Sequence, residues 1–177
     1  MSMVFGSHNL VWIDLVRYGL VEILGEDWVK IHPVESLSDI KESNLVPEGV
    51  SASAAYGIAA RAGGSLLAIF CGHFAPQMGF LESSFQLQPV QTRLAAGLDK
   101  VLALMVALGG AEIILRESDS AFVFELPAGE TALLYLYSGF FEAYFEWASN
   151  GKTFLYQHLN TAEGRVVVSF NKQPLNV

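Results

Sequence analysis

Cys71 and His73 stand two residues apart in Cys71-Gly72-His73-Phe74, and no other cysteine occurs among the 177 residues. A thiol beside an imidazole is the composition of a nucleophile with its base. The commoner fate of a lone cysteine is burial as a small apolar side chain. The segment reads as extended loop, which turns both side chains the same way, but no carboxylate nearby would orient the imidazole. Glu142 and Glu146, one helical turn apart, have the types of a carboxylate pair, and the same spacing describes the solvated stripe of an apolar helix. His8, His32 and His158 are scattered and form neither an i,i+4 pair nor a carboxylate-paired motif, so neither catalytic nor metal-ligating residues are expected. Arg61 interrupts an apolar helix, where its charge reaches solvent past an apolar stem or pairs with an acid. Gly63-Gly64 and Gly109-Gly110 lack the strand–loop–helix setting of a phosphate cradle.

Bulk properties bound the class of protein that holds these residues. The length suits one domain spanning residues 1–177, with 1–49 as N-terminal helices and linker and 50–170 as the core region. Charged residues make up 16% and hydrophobic residues 52% of the chain, against about 25% charged in a typical domain. Mean hydropathy is +0.38. Such a surplus of apolar side chain implies a subunit interface, with a homodimer expected, or an apolar ligand cavity. The longest uncharged window, residues 62–81, carries Gly63, Gly64, Gly72, His73, Pro76, Gln77 and Gly79, which make a poor hydrocarbon-facing helix. The opening MSMVFGSHNL is neutral and shows no signal pattern, so a cytoplasmic protein is expected. A net charge of −8 with no basic cluster argues against nucleic acid and anionic lipid as partners.

The elements that must position the candidates follow from periodicity. Ile13, Val16, Leu20, Ile23 and Leu24 recur at helical spacing, with Gly25 dividing a long helix from a short one. His32 to Gly49, with Pro33 and Pro47, reads as linker. A helix capped by Ser51 should run to about Phe70, followed by a loop over residues 72–88. Val90 to Leu108 is a third helix. AEIILRE and AFVFEL make a hairpin, a fourth helix spans about Thr131 to Ala148 and is apolar around most of its circumference, and TFLYQHL with RVVVSF closes the domain as a second hairpin around NTAEG. The fold class is α+β, with helices packed on one face of an antiparallel sheet of two hairpins.

In that order, Tyr56-Gly-Ile-Ala-Ala-Arg61, the Cys71 segment and FELPAGETALLYLYSGFFEAYFE resemble a superfamily. It unites TRAPP vesicle-tethering subunits, vinyl-reductase-type (4-vinyl reductase) small-ligand domains and haem-nitric-oxide-binding domains. The TRAPP-subunit-like branch implies a dimerising domain with a narrow apolar tunnel that takes a palmitate on the matching cysteine. Carried over, Cys71 becomes the acylation candidate. Phe70, Phe74, Phe140, Phe141 and Tyr144 line the tunnel, and His73 and Arg61 complete the ligand-binding set. Haem-binding members carry a helical histidine and a Tyr-x-Ser-x-Arg clamp. The third helix here has no histidine, and Leu136-Tyr137-Ser138-Gly139-Phe140 offers leucine for the tyrosine and phenylalanine for the arginine, so the expectation is against haem. The two hairpin cysteines of many vinyl-reductase-type domains correspond to Asn160 and Val168, which supply no thiolate. The resulting expectation is a non-enzymatic domain binding a hydrophobic small molecule or acyl chain (lipid binding), with a tetrapyrrole-related enzyme and a purely structural dimeric assembly protein as alternatives.

Overall fold

The computed structural model describes residues 10–127, 129–160 and 166–175. His8, most of the NTAEG turn and Ala128 lie outside them. Helix α1 (Trp12–Leu24) is followed by α2 (Glu26–Ile31), and the break falls at Gly25, whose φ of 87° is open to glycine at little cost. The linker holds a 3-10 turn (Leu37–Asp39) and the short α3 (Glu42–Leu45). Helix α4 (Ala52–Phe74) starts where the Ser51 hydroxyl accepts from the Ser53 N–H at 3.2 Å. It runs through Cys71 and His73 rather than stopping at Phe70. Gly72 does not break it, and Pro76 falls just beyond its end. Short α5 (Ser83–Gln86), α6 (Val90–Ala107), β1 (Ile114–Glu117), β2 (Ala121–Leu126), α7 (Thr131–Ala148), β3 (Phe154–Asn160) and β4 (Val166–Pro174) complete the order.

The strands form one antiparallel sheet in the order β1-β2-β4-β3. Alternation along β2 sends Phe122, Phe124 and Leu126 inward, and the register sets Phe122 opposite Phe170 and Phe124 opposite Val168. Helix α7 lies across this inner face. Phe145 stacks on Phe170 at 4.6 Å and meets Phe122 edge-on at 5.5 Å, while Phe141 stacks on Phe124 at 4.1 Å. Nearly the whole circumference of α7 is buried because the sheet takes one side and α4 the other.

Contact between α4 and α7 is backbone to backbone. Gly63 lies against Leu136 and Phe140, and Gly139 lies against Ala60. The cost of glycine within a helix is offset here by the close approach it allows. Helix α4 is long and apolar enough to cross a membrane, yet Ala55, Ala59, Ala62, Leu66, Leu67 and Phe70 bury one face of it in the core. Arg93 on α6 is 5% exposed and donates to the carbonyls of Gln86 and Ala148, tying the end of α7 to α5 and α6. On sequence alone Arg93 resembles any surface arginine.

Candidate functional site

The structure divides the candidate residues among several places. Phe70 and Phe140 meet edge-to-face at 5.8 Å, both fully buried, with Trp12 edge-on to each at 6.1 and 5.5 Å. Phe74 tilts onto Phe70 at 5.3 Å, and His73 lies beside Phe74. Phe141 faces the sheet. Tyr144 donates its hydroxyl to the Leu94 carbonyl at 3.0 Å, and burial raises its pKa. Arg61 is exposed. Cys71 lies within electrostatic reach of Tyr144. It lines an open groove of about 450 Å³ with Gly64, Leu67, Ala68, Ala143, Glu146 and Trp147.

Because Cys71 and His73 lie on a helix, their side chains point about 200° apart around its axis, not the same way as a loop would turn them. Burial pushes the Cys71 thiol up to about 11, so it is protonated at neutral pH and a poor nucleophile. Iodoacetamide alkylation of Cys71, followed by mass spectrometry, is therefore expected to be slow at pH 7.5 and to accelerate about tenfold per pH unit above it. A rate that levels off below pH 8 would show an activated thiolate instead.

Ser138 and His158 form a serine–imidazole contact, which the sequence leaves hidden because α7 and β3 bring them together. Ser138 Oγ is 2.9 Å from His158 Nε2 and donates to the Leu134 carbonyl at 2.9 Å. With the serine proton committed to that carbonyl, Nε2 must be the donor in the contact, so the imidazole is not a base for this hydroxyl. Burial lowers the His158 pKa, which keeps the ring neutral. The contact ties α7 to β3.

The remaining polar feature of the core lies where α1, α7 and the turn after α6 meet. Trp12 and Tyr137 are each 1% exposed, their rings stack at 6.4 Å and 6° between planes, and among the described residues neither the Trp12 Nε1–H nor the Tyr137 hydroxyl has a hydrogen-bond partner. The Trp12 Nε1–H and the Ala111 N–H face the tyrosine oxygen without completing hydrogen bonds. Burial pushes Tyr137 up to about 12, so its proton stays on at every physiological pH. The corner thus gathers N–H and O–H donors around one acceptor, the tyrosine oxygen, to which neither N–H completes a hydrogen bond. A buried donor left unpaired costs about 1–3 kcal/mol, and native proteins hold few of them. Met105 and Trp12 both crowd Gly110 on one side, and Tyr137 also lines a cavity of about 230 Å³ with Leu126, Glu130, Leu133, Leu134 and Val166. Both aromatics sit on apolar stripes, where only the polar tip of each ring hinted at more than packing.

No protein-family model matches the sequence, and no curated protein is significantly similar to it. Solved structures do share its fold. A variant Tt H-NOX domain superposes with a TM-score of 0.57 at 12% identity, covering 93% of this chain and 95% of that one. An oxygen-binding H-NOX domain related to soluble guanylate cyclases, in its oxygen complex, gives 0.55 at 13% identity over 93% and 95%. A third, from work on H-NOX activation, gives 0.54 at 15% over 92% and 96%. This likeness establishes the fold, which the chain shares with H-NOX domains.

Two expectations are thereby corrected. The TRAPP-like or 4-vinyl reductase-like tunnel, with palmitate or another lipid on Cys71, gives way to a fold shared with H-NOX domains. The geometry agrees, since Cys71 opens onto a surface groove and the aromatic walls assigned to the tunnel pack against one another elsewhere. The enzyme and assembly-protein alternatives gain nothing from these neighbours. The expectation against haem is contradicted as well: it rested on missing motif residues, whereas 93% of the chain superposes on an oxygen-binding H-NOX domain. Among the described residues, Trp12 and Tyr137 are the aromatic pair with buried, unpaired polar atoms. The described histidines stand on separate elements: His32 stacks on Trp28, His73 lies by Phe74 and His158 bonds Ser138.

Proposed function

We propose that this chain is a binding domain of the sensor type, working in the cytosol without catalysing a reaction. A small hydrogen-bond acceptor is recognised by the Trp12 Nε1–H and the Tyr137 O–H. The observation that carries this is the pair of buried, unpartnered donors at the junction of α1, α7 and the turn after α6. An acceptor placed between them satisfies both groups at once, and water-free surroundings strengthen each bond. Support for a ligand of diatomic size comes from the oxygen-binding H-NOX neighbour of the same fold. Binding would join α1 to α7 through the ligand, and both helices also pack on α4, so occupancy stiffens the helical layer as a unit.

The test is the Tyr137→Phe protein. In the ligand-free state it loses an unpaired buried hydroxyl and keeps the ring, so chemical denaturation should show a gain of about 1 kcal/mol, against the usual direction of core changes. In optical titrations with haem under dioxygen or nitric oxide, the same change should weaken gas binding. A Tyr137→Phe protein that is less stable and binds these probes as wild type does would show that the hydroxyl has a structural partner and no ligand.

A further inference from the structure

Arg93 is a buried cation without an anion. It is 5% exposed, and no carboxylate among the described residues pairs with it. Its Nε–H and one Nη1–H donate to the carbonyls of Ala148 and Gln86. Ala148 closes α7, where the negative end of the helix dipole offsets the equivalent of about half an elementary charge. The rest of the charge is unmatched.

A guanidinium has more N–H donors than these two carbonyls use, and both N–H groups on Nη2 are left over. Nη2 has no hydrogen-bond partner among the described residues. The buried side-chain atoms that lack a partner there are Trp12 Nε1, Gln88 Oε1 and the Tyr137 hydroxyl oxygen. Nη2 is not one of them, so it keeps access to open space. The space that Arg93 lines is a pocket of about 300 Å³ between the end of α7, α5 and the first turn of α6. Arg93 is the one charged residue lining it, in a chain where acidic residues outnumber basic ones by 18 to 10. Its walls are rings: Phe80 stacks on Phe85 at 4.7 Å, and Trp147 tilts onto Phe80 at 5.4 Å. Its rim is apolar and open, with Leu87 84% and Leu81 59% exposed.

We propose that this pocket binds a small aromatic carboxylate. The carboxylate takes the free N–H groups of Arg93, and the ring lies against Trp147 beneath Leu81 and Leu87. One ring with its carboxylate suits the volume, which is at the lower end for small-molecule sites. Hydrogen bonds between two ionised groups are the strong kind, and the ring-lined walls favour an aromatic body. A cationic ligand would be repelled by Arg93, and a neutral one would leave its charge unmatched. The net charge of −8 opposes an anion from a distance, but salt screens that field beyond about 10 Å, while Arg93 acts at contact. Ala148 stands about 16 Å along α7 from Tyr137 at the rise of an α-helix, so this site and the Trp12–Tyr137 corner do not rest on each other.

The test is titration of the ¹⁵N-labelled full chain with benzoate, and with benzyl alcohol as its neutral counterpart. Benzoate is expected to move the indole N–H signal of Trp147 to saturation and leave those of Trp12 and Trp28 in place. Its affinity should exceed that of benzyl alcohol by about tenfold or more, the worth of hydrogen bonds to a charged group. Arg93 also holds the end of α7, so replacing it would confound folding with binding. Leu87→Glu and Leu87→Lys change the charge at the exposed rim instead, and both should melt as wild type does. The acid should weaken benzoate binding severalfold and the lysine should strengthen it. Both effects should fade as salt is raised, with benzyl alcohol unaffected. A Trp147 signal that benzoate does not move overturns the proposal. So does benzyl alcohol binding as tightly as benzoate, or benzoate binding indifferent to the charge at position 87.

Discussion

Gly139→Ala should destabilise the protein by about 3 kcal/mol or more, at the upper end of overpacking changes, although it adds a single methyl group. A Cβ at Gly139 would come within 2.6 Å of the Ala60 carbonyl carbon and 2.8 Å of its Cα. The obstacle is backbone and cannot rotate away. Gly63 is the reciprocal position, where an added Cβ would lie 2.7 Å from the Phe140 nitrogen. To admit either methyl, α4 and α7 must separate, loosening the packing above and below the crossing. Thermal melting of Gly139→Ala beside Gly57→Ala is the informative comparison. Gly57 lies on α4 with nothing within 4 Å of its added Cβ, so there alanine should raise stability by about 0.5–1 kcal/mol through helix propensity. Equal effects from the two substitutions would show that the helices are not in backbone contact.

The second large effect is expected at Phe145, which joins α7 to the sheet. It is 1% exposed and touches the rings of Phe122, Phe124, Tyr144, Phe154 and Phe170. Phe145→Ala removes the shared member of that cluster and should cost about 3–5 kcal/mol, since five surrounding rings cannot all close the void. The loss is directional. Amide hydrogen exchange should accelerate more in β2 and β4, which lose their cover, than in the part of α4 held by α1 and α7. Uniform acceleration would mean that the sheet and the helical layer unfold as one unit.

Much of the fold was legible in the sequence because its elements follow strong local rules. Helices α1, α6 and α7 show apolar stripes, Gly25 and Gly109 end helices, and each hairpin pairs two short alternating runs. The end of α4 was not, because Gly72 and Pro76 look like punctuation, while packing of Phe70 and Phe74 holds the helix to its end. That miss altered the chemistry assigned to Cys71, since a thiol and imidazole set on one side of a loop become residues on different faces of a helix. Gly63-Gly64 was legible as unfit for a phosphate cradle, and the structure separates the two: Gly63 sits at the crossing with α7, Gly64 at the edge of the groove. The Trp12–Tyr137 pair was not visible at all. An unpaired donor is a property of everything that surrounds it, and those surroundings come from α1, α7 and the turn after α6.

Recognition of a ligand by the buried donors is read most directly from the indole N–H signal of Trp12 in a ¹⁵N-labelled protein. The chain has three tryptophans, so three such signals are expected, and Trp12→Phe identifies the relevant one. Dioxygen and nitric oxide, each with and without haem, serve as probes. Recognition by the buried donors predicts that at least one of them moves the Trp12 signal downfield, leaves those of Trp28 and Trp147 in place, and does so less in Tyr137→Phe. A Trp12 signal that no probe moves, or that moves equally without the tyrosine hydroxyl, would contradict it.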